Sequence, residues 1–206
     1  MSRVGHAYDT GMPRKPLSPL PEAVAGDHDA LAEARAASGA CRILGMPDAN
    51  ATRALRDDLL RLAASGELTP AATGRGAGRA LQPALRGDRT LWLDDPRCGN
   101  AAGAFLATLD GIRLALNARL FLGIAETEAH YARYAPGAGY ARHRDRFRDD
   151  DARVLSLVAY LNDDWREADG GALRLHLDHG AVEVVPRGGT AVCFRSELEH
   201  EVLPAT

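Results

Sequence analysis

The chain has 206 residues, a formal net charge of −3, and 46% hydrophobic and 26% charged residues. That is enough for one domain with a sizeable core and an appendage. The composition is that of an ordinary globular protein, and the charge gives no overall case for a nucleic-acid partner. Nearly all the basic residues are arginine, Lys15 being the only lysine. No uncharged apolar run approaches the roughly 20 residues that a membrane helix needs. The N-terminus lacks the basic-then-apolar pattern of a secretory signal. Cys41, Cys98 and Cys193 are odd in number and have no metal-like spacing. They argue for a reducing compartment and against a disulfide framework. The expected location is the cytoplasm, with neither membrane nor nucleic acid among the partners.

Residues 1–28 carry Pro13, Pro16, Pro19 and Pro21 among small and polar residues and read as a flexible Pro-rich arm. Residues 29–206 read as one domain, with helical support over about 29–125 and a strand-rich part over about 126–206. An Ala-rich helix is expected over 29–37. A second is expected between Asn50 and Ser65, where Leu55, Leu59 and Leu62 share one face and Gly66 stands at the C-terminal cap position. A third runs from about Ala102 to Phe121. Its stripe of Phe105, Leu109, Ile112, Leu116 and Leu120 requires a packing partner, and a sheet is expected to supply it.

Between the second and third helices lie Gly74, Gly76 and Gly78, then Arg86-Gly-Asp-Arg89 and Thr90-Leu-Trp-Leu93. No strand precedes the glycines and their spacing is not that of a phosphate loop, so a mobile loop followed by a hairpin is expected. Arg75, Arg79, Arg86 and Arg89 make it locally basic, as a solvated face or as a contact surface for an acidic partner.

From residue 130 the chain turns to short strand-like runs separated by turn signals. Leu155 to Leu161 is mostly apolar and reads as buried on both faces. Ala172 to Leu177 alternates, with Leu173, Leu175 and Leu177 on one side and Arg174 and His176 on the other. Turns at Asp178–Gly180 and Pro186–Gly189 lead into Ala181 to Val185 and Thr190 to Phe194, and His200 to Leu203 starts a further strand. Many short strands with close turns indicate a sandwich or barrel.

The chemistry concentrates in Tyr134 to Asp145 and at His200. His143 and Asp145 are two residues apart, so on one strand their side chains point the same way. His200 follows after several strands. Two histidines and one carboxylate form a facial triad for Fe(II), which leaves three positions for a bidentate 2-oxo acid and O2. The same donors suit zinc, although no general base is placed for hydrolysis. His176, Asp178 and His179 form a competing cluster that spans a turn, so the two histidines diverge.

The chain resembles the prolyl 4-hydroxylase branch of the Fe(II)/2-oxoglutarate dioxygenases, the hypoxia-sensor type and its bacterial relatives. The matching residues are Arg86-Gly-Asp-Arg-Thr-Leu-Trp92, Tyr134-x-Pro-Gly, Tyr140-x-Arg-His143-x-Asp145, Tyr160-Leu-Asn-x-x-Trp165, Gly170-Gly-x-Leu-Arg-Leu175 and His200-Glu-Val-x-Pro204. They run in family order from about Leu85 to the end of the sequence. The resemblance implies an α+β fold with a double-stranded β-helix (jelly-roll, cupin-like) core behind N-terminal supporting helices. It implies Fe(II) on His143, Asp145 and His200, with no catalytic residue beyond the metal site. Tyr134 and Tyr160 would line the 2-oxoglutarate pocket, Tyr160 bonding the distal carboxylate. Leu173 and Val202 would form its apolar walls, and Trp165 would pack structurally. Residues 73–93, with Arg75, Arg79 and Arg86, would stand where the family has a substrate-covering loop. The implied cosubstrates are 2-oxoglutarate and O2, with ascorbate as an accessory. The implied reaction is decarboxylation of 2-oxoglutarate to succinate with C4 hydroxylation of a prolyl residue in a protein or peptide.

One element of the family pattern is missing. The family places an arginine on the strand after the last metal histidine, to pair with the distal carboxylate of 2-oxoglutarate. No arginine follows His200 in this sequence, so the core reads as C-terminally incomplete, lacking its last strand. The alternative expectation is a non-catalytic metal-binding or sensing relative that cannot hold 2-oxoglutarate. Arg174 is the nearest candidate for a substitute cation, against an ordinary role as a surface arginine.

Overall fold

The computed structural model describes residues 20–74, 80–146 and 152–206. Among the described residues, three α-helices and eleven short strands form, in chain order, β1 (Glu22–Val24), α1 (His28–Ser38), β2 (Ala40–Leu44), α2 (Ala49–Ala64), β3 (Thr69–Pro70), β4 (Asp88–Trp92), α3 (Asn100–Leu120), β5 (His130–Tyr134), β6 (Tyr140–His143), β7 (Leu155–Ala159), β8 (Leu173–Leu177), β9 (Gly180–Val184), β10 (Thr190–Arg195) and β11 (His200–Val202).

The helices start where side-chain oxygens replace missing backbone acceptors. Asp27 caps α1 by accepting from Ala30 N, and Asp48 caps α2 by accepting from Asn50 N and Ala51 N. Gly39 ends α1 in the left-handed conformation at φ 76°. Helix α3 has no side-chain cap of its own on Gly99. Asp58 of α2 supplies one from a distance, accepting from Gly99 N at 2.9 Å.

The strands form two four-stranded sheets, ordered β1-β2-β10-β7 and β6-β11-β8-β9, and a third of β3-β4-β5. Only the β1–β2 pair is parallel among the pairs within these sheets. Alternation along β10 divides the core. Val192 and Phe194 join Leu173, Leu175 and Leu177 of β8 and Val184 of β9 in a cluster between the two larger sheets. Ala191 and Cys193 point the other way, into a cluster with α1 and α3. The expected stripe of α3, Phe105 to Leu120, lies wholly in that second cluster, against β2, β7 and β10.

Three expectations change. Residues 1–19 of the expected arm lie outside the described residues, but Leu20 is buried and β1 pairs with β2, so residues 20–24 belong to the fold. Pro21 is tolerated because it precedes the strand, where no ladder N–H is lost. The hairpin expected after the glycines, within residues 73–93, does not form locally, because β4 takes β3 and β5 as its neighbours. Leu155–Leu161 is not buried on both faces, since β7 is the edge of its sheet and all five of its residues are half-buried. Arg75 and Arg79 lie outside the described residues, although a bridge between Thr73 and Ala80 closes the base of their loop.

Candidate metal centre

The site forms where the ends of two strands meet. His143 is the last residue of β6 and His200 the first of β11, and the antiparallel register places them opposite each other. Their ring centroids are 4.2 Å apart. Asp145 lies beyond the end of β6, not on the strand with His143 as the spacing suggested. The reason is the loop after β10: the N–H groups of Asp145 and Arg146 both donate to Ser196 O at 3.0 Å, which bends the chain out of the ladder. The bend still returns the carboxylate to the histidines. Asp145 Oδ1 is 3.5 Å from His143 Nε2, and Oδ2 is 3.6 Å from His200 Nε2. Ligand atoms of all three residues lie within 4.8 Å of one another, the one such group among the described residues.

Protonation suits a cation. His143 Nδ1 is 2.8 Å from Ala141 O and His200 Nδ1 is 2.9 Å from Leu198 O. A carbonyl only accepts, so in the neutral rings Nδ1 carries the proton and Nε2 turns a lone pair to the centre. Burial lowers the His200 pKa, outweighing the opposing pull of Asp145. For Asp145, burial pushes the pKa upward, but the neighbouring His143 and His200 rings and the bond from Ser156 together hold it well below the usual carboxylate range. In that tautomer the site offers two imidazole Nε2 lone pairs and a carboxylate, donors that fit Fe(II).

Aromatic rings flank the centre. Tyr140 stacks on His143 with centroids 3.5 Å apart and planes 13° apart, and Arg86 lies over the other ring system with Cζ 4.9 Å from the Tyr140 centroid. Arg86 in turn makes a bidentate pair with the buried Asp88 at 2.8 and 3.0 Å. Gly139 passes so near β11 that a Cβ there would sit 2.6 Å from Val202 O. On the core side, Phe194 packs edge-on to His200 at 4.7 Å. Phe194 belongs to the same cluster as Tyr160 and Leu173, with Val202 packed against it. The Tyr160 hydroxyl is buried and has no hydrogen-bond partner among the described residues. Burial raises the pKa of Tyr160, and with the added charge of Asp88 that of Tyr134, so both remain donors.

A model of the 2OG-Fe(II) oxygenase superfamily matches residues 129–206. A crystal structure of a Pseudomonas putida prolyl-4-hydroxylase is 40% identical and superposes with a TM-score of 0.78, over 86% of this chain and 92% of that one. The chain belongs to the 2OG-Fe(II) oxygenase superfamily, as a prolyl hydroxylase-type member. A Trichoplax adhaerens prolyl hydroxylase, solved in complex with a peptide fragment of the hypoxia inducible factor oxygen degradation domain, is 26% identical with a TM-score of 0.73. That match covers 86% of this chain and 83% of the other. A Phytophthora capsici prolyl 4-hydroxylase shares the fold at 20% identity and a TM-score of 0.61, over 85% of this chain and 57% of that one. The oxygenase is thus a 2-oxoglutarate dioxygenase whose family uses Fe(II), 2-oxoglutarate and O2.

Other sequence candidates of the oxygenase separate from the centre. Arg174 pairs with Glu183 and Glu201 on the outer side of β8, opposite to the core-facing Leu173 and Leu175. It is a surface ion pair and no substitute cation. His176 Nε2 meets Glu201 at 3.0 Å. Trp165 donates Nε1–H to Gly170 O at 2.9 Å, a packing role. Sequence reasoning gave no role to Ser156, whose Oγ donates to Asp145 Oδ2 at 2.5 Å. Its signal was a single hydroxyl in an otherwise apolar strand. No helix among the described residues is long and apolar enough to cross a membrane.

Proposed function

We propose that the oxygenase hydroxylates C4 of a prolyl residue in a protein or peptide, coupled to conversion of 2-oxoglutarate to succinate and CO2. The observation that carries this reading is the convergence of His143, Asp145 and His200 within 4.8 Å, beside a core cluster that holds the unpartnered Tyr160 hydroxyl. A buried donor without an acceptor is costly in a native core, and a carboxylate oxygen of 2-oxoglutarate would satisfy it.

In this reading His143 and His200 Nε2 and an Asp145 oxygen hold the iron. Iron, when bound, supplies the redox chemistry that couples 2-oxoglutarate and O2 to hydroxylation. Tyr160 and Tyr134 would donate to 2-oxoglutarate, while Leu173 and Val202 would keep its carbon chain dry. Tyr140 shields the outer face of His143. Arg86 anchors the end of the segment from 73 to 86, which would cover a peptide, and the basic residues of that segment, Arg75 and Arg79 among them, would favour an acidic one. The architecture fits a double-stranded β-helix, as two facing four-stranded sheets with a helical layer behind one of them. The peptide bound by the Trichoplax adhaerens relative supports a peptide or protein substrate. The three free cysteines fit a cytoplasmic location, and ascorbate is proposed as the accessory reductant.

The test is anaerobic loading with Fe(II), followed by 2-oxoglutarate, O2 and a library of proline-containing peptides. Succinate formed in step with a peptide one oxygen atom heavier at proline is expected. Turnover of 2-oxoglutarate with hydroxylation only of small molecules would sink the protein-proline assignment.

A further inference from the structure

The three residues of the centre are oriented by different means. His143 and His200 each bond the carbonyl two residues back along their own backbone. Asp145 is held instead by a side chain from another strand, Ser156 Oγ, which donates to Oδ2 at 2.5 Å. A bond from a hydroxyl to a carboxylate at this length is at the short, strong end of its class. Ser156 is the one polar residue of β7. Its register partner on β10 is Phe194, the residue that packs edge-on to His200. One cross-strand pair therefore touches two of the three proposed ligand residues.

The consequence lies in the count of coordination positions. Three single-atom protein ligands leave three octahedral positions, and a bidentate 2-oxo acid with O2 needs all three. A carboxylate that binds through both oxygens would fill one of them. Asp145 sits past the end of β6, where no ladder fixes its side-chain angle. Its orientation must come from a partner, and the Ser156 hydroxyl engages Oδ2 while Oδ1 faces His143 Nε2 at 3.5 Å. We infer that Ser156 is a positioning residue that holds Asp145 as a single-atom ligand and so keeps the third open position available to the cosubstrates. The inference rests on the metal-site reading above.

Calorimetry on wild type, Ser156→Ala and Ser156→Thr tests it, first with Mn(II) and then with 2-oxoglutarate titrated into each Mn(II) form. Ser156→Ala is expected to weaken Mn(II) binding about tenfold, the low end of losses for an outer-sphere partner, and to weaken 2-oxoglutarate binding as well. Ser156→Thr keeps the hydroxyl and is expected to restore both affinities to within about threefold of wild type. Thermal unfolding of the metal-free proteins separates a fold defect from a positioning one, and if Ser156→Ala is unstable, the Thr form decides. Unchanged affinities in Ser156→Ala, or a Thr form as weak as the Ala form, overturn the inference. Mn(II) binding that is lost in His143→Ala but kept in Ser156→Ala removes this inference alone. Wild-type protein that takes up no Mn(II) removes the metal reading and this inference with it.

Discussion

His143 and His200 face each other across the β6–β11 pair, with ring centroids 4.2 Å apart, although they are 57 positions apart in the chain. Strand register makes them neighbours, and the bend at Ser196 brings Asp145 to them. Replacing either histidine by Ala should weaken Mn(II) binding by more than about 100-fold, beyond the range for outer-sphere changes. Hydroxylation should be lost while the circular dichroism spectrum is kept. His176→Ala should leave Mn(II) binding unchanged, since that ring pairs with Glu201. Calorimetry on the three variants checks this.

Tyr160→Phe should act in opposite directions on stability and on cosubstrate binding. The hydroxyl it removes is buried and unpartnered, and such a group costs about 1–3 kcal/mol in the ligand-free protein. Urea unfolding should show the variant as stable as wild type or more so. In the bound state the same hydroxyl would meet a carboxylate, a bond worth about 1.5–3 kcal/mol. The 2-oxoglutarate affinity should therefore fall about tenfold or more. A stabilised variant with unchanged affinity would remove Tyr160 from the cosubstrate site.

Arg86 and Asp88 form a clamp between the end of the segment at 73–86 and Tyr140, which stacks on His143. The Asp88 side chain is 1% exposed and that of Arg86 19%. Removing the guanidinium strands a buried carboxylate, which costs about 3 kcal/mol, the lower end of the range for broken buried pairs because Arg86 is not fully enclosed. Arg86→Ala should show this loss in urea unfolding. Arg86→Ala with Asp88→Asn should recover part of it, because the stranded charge is then gone.

Asp58 ties three elements together. It accepts from Gly99 N at the start of α3, from Tyr131 OH of β5 at 3.1 Å and from Arg61 at 2.6 Å. Burial pushes its pKa up, but the Gly99 N–H, Arg61 and Tyr131 outweigh burial and hold it below the ordinary 3.8. The folded value is thus lower than the unfolded one. The unfolded chain binds the proton first, so the stabilisation is complete above the unfolded value and is lost as pH falls through the folded one. Wild type should lose stability on acidification below about pH 4, and Asp58→Asn should show a shallower acid slope. At neutral pH Asp58→Asn should cost about 1–3 kcal/mol, from a weakened cap and a less satisfied Tyr131. Urea unfolding across the pH range measures both.

The local elements of this fold were legible in the sequence. The leucine spacing of α2, the stripe of α3 and the alternation of Leu173, Leu175 and Leu177 reflect periodicities that the backbone imposes within a few residues. His143, Asp145 and His200, which converge within 4.8 Å, could be named as a candidate group because their side chains carry chemistry, whereas the role proposed for Tyr160 came from the family resemblance. Tertiary structure decided what depends on long-range register. It took β4 away from a local hairpin and paired it with β5, drew Glu22–Val24 into the sheet, and moved Asp145 off its strand into a bend. It placed Ser156 on Asp145 and Asp58 under α3. Those contacts join residues 11 and 41 positions apart. The physical reason is that a hydroxyl or carboxylate becomes a partner only where packing removes water and supplies one acceptor or donor, and no periodicity in the chain records that.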